Sequence, residues 1–227
     1  MGKLGALTCS HGHSINDHPN CFVKDGKYFL PKRLLEEGRY LQWYEKENAK
    51  IGFFDIEATD LSADNGWMIS WAMKERGSNK IAYDQISQKD VLSRNFDKKI
   101  VTSLLAEFNK YDCVVGYYSS GFDLPYIMGR SIYWGLPYPK PNTLFQIDVY
   151  FAFKHRIALH RKSLDSLTKH FKIAGKTKLD FGYWKLSGIG FEKELKEMEK
   201  HNKADILILE ELFDKVEPYC RFSKRSV

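Results

Sequence analysis

The spacing of hydrophobic and polar positions changes several times along this chain, and the changes mark out its elements. Residues 1–23 are polar, rich in His and Cys, and show no apolar periodicity. Over residues 30–48 the apolar positions fall at helical spacing, with Pro31 near the start, which predicts a helix. The composition then shifts. Ile51-Gly-Phe-Phe-Asp-Ile-Glu-Ala is an apolar run of strand character. Residues 67–73 predict a second strand after the turn-like Ala63-Asp-Asn-Gly, and residues 80–87 a weaker third. Ile100, Leu104, Leu105 and Phe108 keep helical spacing over 98–110, and residues 112–118 predict another buried strand. A helix follows over 124–134 with Pro125 in its first turn, then a loop carrying Pro137, Pro139 and Pro141. Ile147-Asp-Val predicts a short strand or helix, and Ser163 caps a helix running to Phe171. The longest helical pattern spans 191–217 through Leu195, Met198, Ile206, Leu209, Leu212 and Phe213. Early strands, a helix, another strand and then helices predict an α/β domain around a mixed sheet.

Composition narrows this picture. At 43% hydrophobic and 15% aromatic, the chain can bury a full core, which excludes disorder throughout. No stretch approaches about 18 consecutive apolar residues, so no membrane-spanning helix is expected. The N-terminus lacks the apolar core of a secretory signal, and the expectation is an intracellular protein, cytoplasmic or nucleoid-associated. Lys and Arg total 35 against 29 Asp and Glu, a net +6 that is compatible with a polyanionic partner. Four cysteines do not make a disulfide framework, and Cys113 and Cys220 read as isolated thiols. There is no Walker-type loop, dinucleotide fingerprint or nucleophilic triad signature.

The candidate chemistry lies in carboxylates placed where burial is expected. Asp55 and Glu57 are two apart on an apolar strand and so project from one face. Such a pair repels itself and loses solvation unless the strand lies at an edge or a cation binds. Oxygen ligands suit Mg²⁺ or Mn²⁺. Asp123 follows a buried strand at the start of a helix, where the helix dipole favours an acid even without a metal. His201 and Asp205 are one helical turn apart and share a face; a surface ion pair is the plain alternative. A His beside a carboxylate-bound metal would deprotonate a water nucleophile.

In combination these residues resemble the DEDD superfamily of 3′–5′ exonucleases, which have a ribonuclease H-like fold. Asp55-Ile-Glu57 is similar to its first motif, Phe122-Asp123 to the end of its second, and Asp205 to its helical third. Leu124-Pro-Tyr-Ile resembles the proofreading domains of family B DNA polymerases, and the stretch 144–185 resembles stand-alone ribonuclease H-like exonucleases. The resemblance covers roughly residues 50–218. Two positions depart from it. Tyr118 stands where the second motif often has Asn, and His201 occupies the four-residue spacing at which one branch has Tyr.

The resemblance implies two-metal hydrolysis of a phosphodiester. Two Mg²⁺ or Mn²⁺ would be ligated by Asp55, Glu57, Asp123 and Asp205, with His201 orienting or deprotonating water. It also implies a 3′–5′ exonuclease acting on single-stranded DNA or a 3′ end, with DNA slightly favoured over RNA. A polymerase or another replication or repair protein would be its partner. The rival readings are a non-catalytic nucleic-acid-binding module on the same fold and a structure-selective endonuclease. Asp148 is a further acid in the matching region, read either as a metal-binding or supporting group or as a solvated strand end.

Other segments complete the organisation. Cys9, His13, His18 and Cys21 are enough for a tetrahedral zinc, with His11 as the competing ligand. The alternative is a loosely ordered polar head. Lys154, Arg156, Arg161 and Lys162, near Tyr150, Phe151 and Phe153, form a basic cluster that reads either as a surface tracking phosphates or as a solvated loop, and the resemblance implies a nucleic-acid contact at Tyr118. Trp67, Trp71 and Trp184 read as core. The basic tail 221–227 is expected to fray. The predicted organisation is a Cys/His head and linker helix (1–49), a ribonuclease H-like exonuclease domain (50–220) and the basic tail (221–227).

Overall fold

A computed structural model describes residues 23–24, 27–28, 42–175 and 177–227. The candidate zinc ligands Cys9, His11, His13, His18 and Cys21 lie outside the described residues, as does most of the expected helix over 30–48. The chain divides into two compact units, Met1–Ala49 and Lys50–Val227. In the first, β1 (Val23–Lys24) pairs antiparallel with β2 (Lys27–Tyr28), and a single helical turn, α1 (Trp43–Lys46), follows. The Gln42 amide donates to the Glu45 carboxylate and closes the start of that turn.

The second unit is built on one mixed sheet flanked by helices. Its strands are β3 (Ile51–Ala58), β4 (Met68–Glu75), β5 (Ile81–Gln85), β6 (Cys113–Gly116), β7 (Phe145–Asp148) and β8 (Arg225–Ser226). They lie in the order β5-β4-β3-β6-β7-β8. β3, β6 and β7 run parallel; β4 is antiparallel to β3, β5 to β4, and β8 to β7. The central strands β4 and β6 are buried along nearly their whole length, as strands covered on both faces must be. β3 therefore sorts its side chains by parity. Phe54 meets Phe108 of α3 (Lys98–Phe108) edge-on at 5.3 Å. Phe53 meets Phe213 of α8 (Glu192–Val216) at 5.4 Å. Odd residues of β3 thus face α8 and even residues face the core under α3.

The remaining helices are α2 (Gln88–Leu92), α4 (Asp123–Trp134), α5 (Val149–Phe153), α6 (Leu164–Phe171) and α7 (Phe181–Gly188). The Ser163 hydroxyl caps α6 by accepting from the Ser166 amide, as its sequence predicts. Ile147-Asp-Val resolves into both alternatives, since β7 ends at Asp148 and α5 begins at Val149. α7 carries two glycines and no amphipathic stripe, so periodicity did not reveal it. Asp180 starts it by accepting from the Gly182 amide. The fully buried Asp97 accepts from Arg130 Nε and Nη2, from Trp134 Nε1 and from the Met68 amide, which ties α4 to the start of β4.

The expectation that the basic tail frays is corrected. Residues 225–226 form β8, Phe222 is buried and stacks on Phe213 at 5.2 Å, and the Val227 amide donates to the Leu144 carbonyl. An apolar anchor and the free edge of β7 hold a segment whose own composition promises nothing. Cys113 and Cys220 are buried, and burial pushes both thiols up, away from nucleophilic chemistry. Among the described residues no helix is long and apolar enough to cross a membrane.

Candidate active site

The register of β3 sets the site. Asp55 and Glu57 share the odd face with Phe53, so the strand presents both carboxylates towards α8. A register irregularity between Glu57 and Ala58 ends regular pairing just beyond them. Beside β3, the parallel β6 ends at Gly116, and the chain folds back so closely that a Cβ at Gly116 would sit 2.4 Å from Ser119 Cβ. Tyr118 takes a left-handed conformation (φ 59°) in this turn. The fold-back delivers Asp123 to the first position of α4, where its Oδ1 accepts from the Ile56 amide at 3.2 Å. Asp123 is thereby clamped to β3 between Asp55 and Glu57. Burial pushes its carboxyl up to about 7, opposed by the backbone N–H groups of Ile56 and Asp123 and reinforced by the charge of Asp148.

α8 supplies the opposite wall with His201, Asn202 and Asp205, all buried on the face turned to the sheet. Asn202 Nδ2 donates to Asp55 Oδ2 at 2.7 Å. His201 Nε2 lies 3.6 Å from Glu57 Oε1 and 4.0 Å from Asp205 Oδ2. Its other nitrogen, Nδ1, is hydrogen-bonded to the Thr177 hydroxyl at 2.6 Å. Trp184 Nε1 donates to Glu57 Oε2 at 2.9 Å, and its ring stands edge-on to His201 with centroids 5.6 Å apart.

Asp55, Glu57, Asp123 and Asp205 line one cleft of about 460 Å³, together with Tyr117, Tyr118 and Phe122. His201 stands behind it, against Glu57 and Asp205. Among the described residues that line it, none is Lys or Arg. Among the described residues no three His, Cys, Asp or Glu side chains stand close enough to form a ready-made ligand group. The donor chemistry nevertheless fits a hard divalent cation. Four carboxylates supply only oxygen, and one of them is too deeply buried to ionise at its ordinary value.

Three supporting residues were not picked out from the sequence. Asn202 had no signal beyond its adjacency to His201, and Thr177 lies in an irregular segment. Trp184 reads as core from the sequence and does pack against the core, but its indole N–H donates to Glu57. Asp148 is neither a solvated strand end nor part of the cleft lining. Its carboxylate accepts from the amides of Tyr118, Ser120 and Tyr150 and from the Ser120 hydroxyl, and so fastens the 117–121 turn to the start of α5. The basic cluster divides. Lys154 lies over the rings of Tyr150 and Phe151, and Arg156 opens into a second cavity. The Lys162 carbonyl accepts from the Tyr117 hydroxyl, and Arg161 is exposed. None of the four lines the carboxylate cleft.

Residues 52–217 match the RNase H superfamily. No curated protein matches the chain. Among solved structures, the family B DNA polymerase from the hyperthermophilic archaeon Pyrobaculum calidifontis is similar in fold, with a TM-score of 0.63 and 17% identity. The match covers 75% of this chain and 25% of the polymerase, so the chain spans about a quarter of that protein's length.

Proposed function

The chain belongs to the RNase H superfamily, and from that premise we propose that it is a divalent-metal-dependent 3′–5′ exonuclease, with DNA favoured over RNA. The superfamily and the fold support a nuclease. The finer reading is carried by the convergence of Asp55, Glu57, Asp123 and Asp205 on one cleft with His201 against two of them. The four carboxylates would hold two Mg²⁺ or Mn²⁺, which supply Lewis-acid stabilisation of the attacking and leaving oxygens. Asn202 and Trp184 each fix one carboxylate oxygen on β3, leaving the acids preorganised. The His201 ring is held from behind by Thr177, so Nε2 is the nitrogen presented to the acids, placed to take the proton of an attacking water. Water oxygen joins phosphorus, the bond to the 3′ oxygen breaks, and that oxygen takes a proton from solvent. The similarity to a family B polymerase supports DNA as substrate.

The test is digestion of single-stranded DNA labelled at its 5′ end, with Mg²⁺ or Mn²⁺. A ladder that shortens from the 3′ end is expected, and Asp55→Ala should slow it by on the order of 10³-fold. Cleavage of closed circular DNA would replace the exonuclease with an endonuclease. Equal rates for Asp55→Ala and wild type would remove the carboxylate cleft from the mechanism.

A further inference from the structure

Among the described residues the carboxylate cleft has four acids and no lining cation, yet its proposed substrate is a polyanion. The backbone charge of the strand has to be met elsewhere. A second cavity, of about 290 Å³, lies between β7, α5 and the C-terminal segment. Arg156, Arg221 and Arg225 line it, with His155. These cations come from two parts of the chain, the turn after α5 and the tail around β8. The register Gln146↔Arg225 places Arg225 on the sheet edge, where Gln146 Nε2 donates to the Ser226 carbonyl and Arg225 Nε donates to Ser223 Oγ. Among the described lining residues the one acid is Asp148, whose oxygens already accept from the 117–121 turn and from the start of α5.

The two cavities share a wall. Tyr118 and Gly121 line the carboxylate cleft, while Ser120, between them in sequence, lines the basic cavity. A pair of exposed rings crosses the divide. Tyr118 of the cleft stacks on Phe151 of the basic cavity, with centroids 5.6 Å apart and planes 27° from parallel. They are 45% and 40% exposed, so part of each ring stays open to solvent beside the cationic cavity. Aromatic faces beside a cationic groove are what sequence-tolerant single-strand binding uses.

We propose that the Arg156–Arg221–Arg225 cavity is a phosphate subsite for the strand being degraded. It would hold successive backbone phosphates upstream of the scissile one while bases cross the Tyr118–Phe151 ridge. This rests on the nuclease reading above and adds where the strand runs. The ligand chemistry is the phosphodiester backbone of single-stranded nucleic acid, whether DNA or RNA.

The experiment measures binding of the full chain to fluorescent 12-nucleotide single strands of DNA and of RNA in EDTA, across a salt series. Arg221→Gln/Arg225→Gln is compared with Lys193→Gln/Lys196→Gln on the outer face of α8, an equal charge change away from the cavity. The tail pair should weaken binding about tenfold at low salt and flatten the log–log salt dependence by roughly 1.4 for two lost phosphate contacts. The α8 pair should change both by much less. If the double variant does not fold, Arg225→Gln alone should flatten the dependence by roughly 0.7. Equal weakening by both pairs, or none by the tail pair, overturns the subsite. Loss of binding without metal-dependent trimming by wild type would overturn the exonuclease and keep the subsite; trimming with unchanged binding would do the reverse.

Discussion

Asp123 carries a conflict that a bound cation would resolve. Its carboxyl is buried beside Asp55 and Glu57, and burial pushes it up to about 7 from an ordinary 3.8. The metal-free folded chain therefore binds this proton more tightly than the unfolded chain does. The group's stabilising contribution is full below about pH 4 and is lost as pH rises through about 7. A divalent cation needs the ionised form, so its binding releases the proton and strengthens with pH across the same window. Thermal unfolding with and without Mn²⁺ should show the metal-induced rise in Tm growing between pH 6 and 8 and shrinking in Asp123→Asn. A rise independent of pH in wild type would show that Asp123 does not couple to the metal. At this scale the sequence exposed the acids but not their restraints. The i,i+2 and i,i+4 spacings are local, whereas the donors Asn202 and Trp184 are 147 and 127 residues from the acids they hold.

Among the elements, α4 has the most to lose from one change. Its Arg130 reaches the fully buried Asp97 through two hydrogen bonds, and the same carboxylate holds Trp134 and the first amide of β4. Truncating one partner strands a buried charge, which costs about 3–5 kcal/mol. Asp97→Ala should lose that much in urea unfolding, and Asp97→Ala/Arg130→Met should lose less than the single variant. A loss below about 1 kcal/mol for Asp97→Ala would show that the pair does not anchor α4. Elements with a strong period, such as β3, β4, α3 and α8, were legible from their sequence. α7 was not, because its glycines and mixed faces give no stripe and its helix is set by the Asp180 cap and by its packing.

For the whole molecule, the order of strands places the C-terminus at the far edge of the sheet and lets the tail complete the second cavity. The tail is anchored by Phe222 on Phe213, and the removal of a buried aromatic ring costs about 3–5 kcal/mol. Phe222→Ala should lower Tm by roughly 10 °C. A shift of less than about 2 °C would mean that the tail contributes little, as its composition alone suggests.

The central strands, the amphipathic helices, and the order and spacing of the four acids and His201 are legible in the chain, because they depend on periods of two and 3.6 residues within one segment. Tertiary structure alone decided which donors hold those acids and which loop Asp148 fastens. It also decided that Arg156 lines one cavity with Arg221 and Arg225. Those contacts join residues from distant segments, and their geometry is fixed by the parallel β3–β6–β7 register and the packing of α8, which no local pattern encodes.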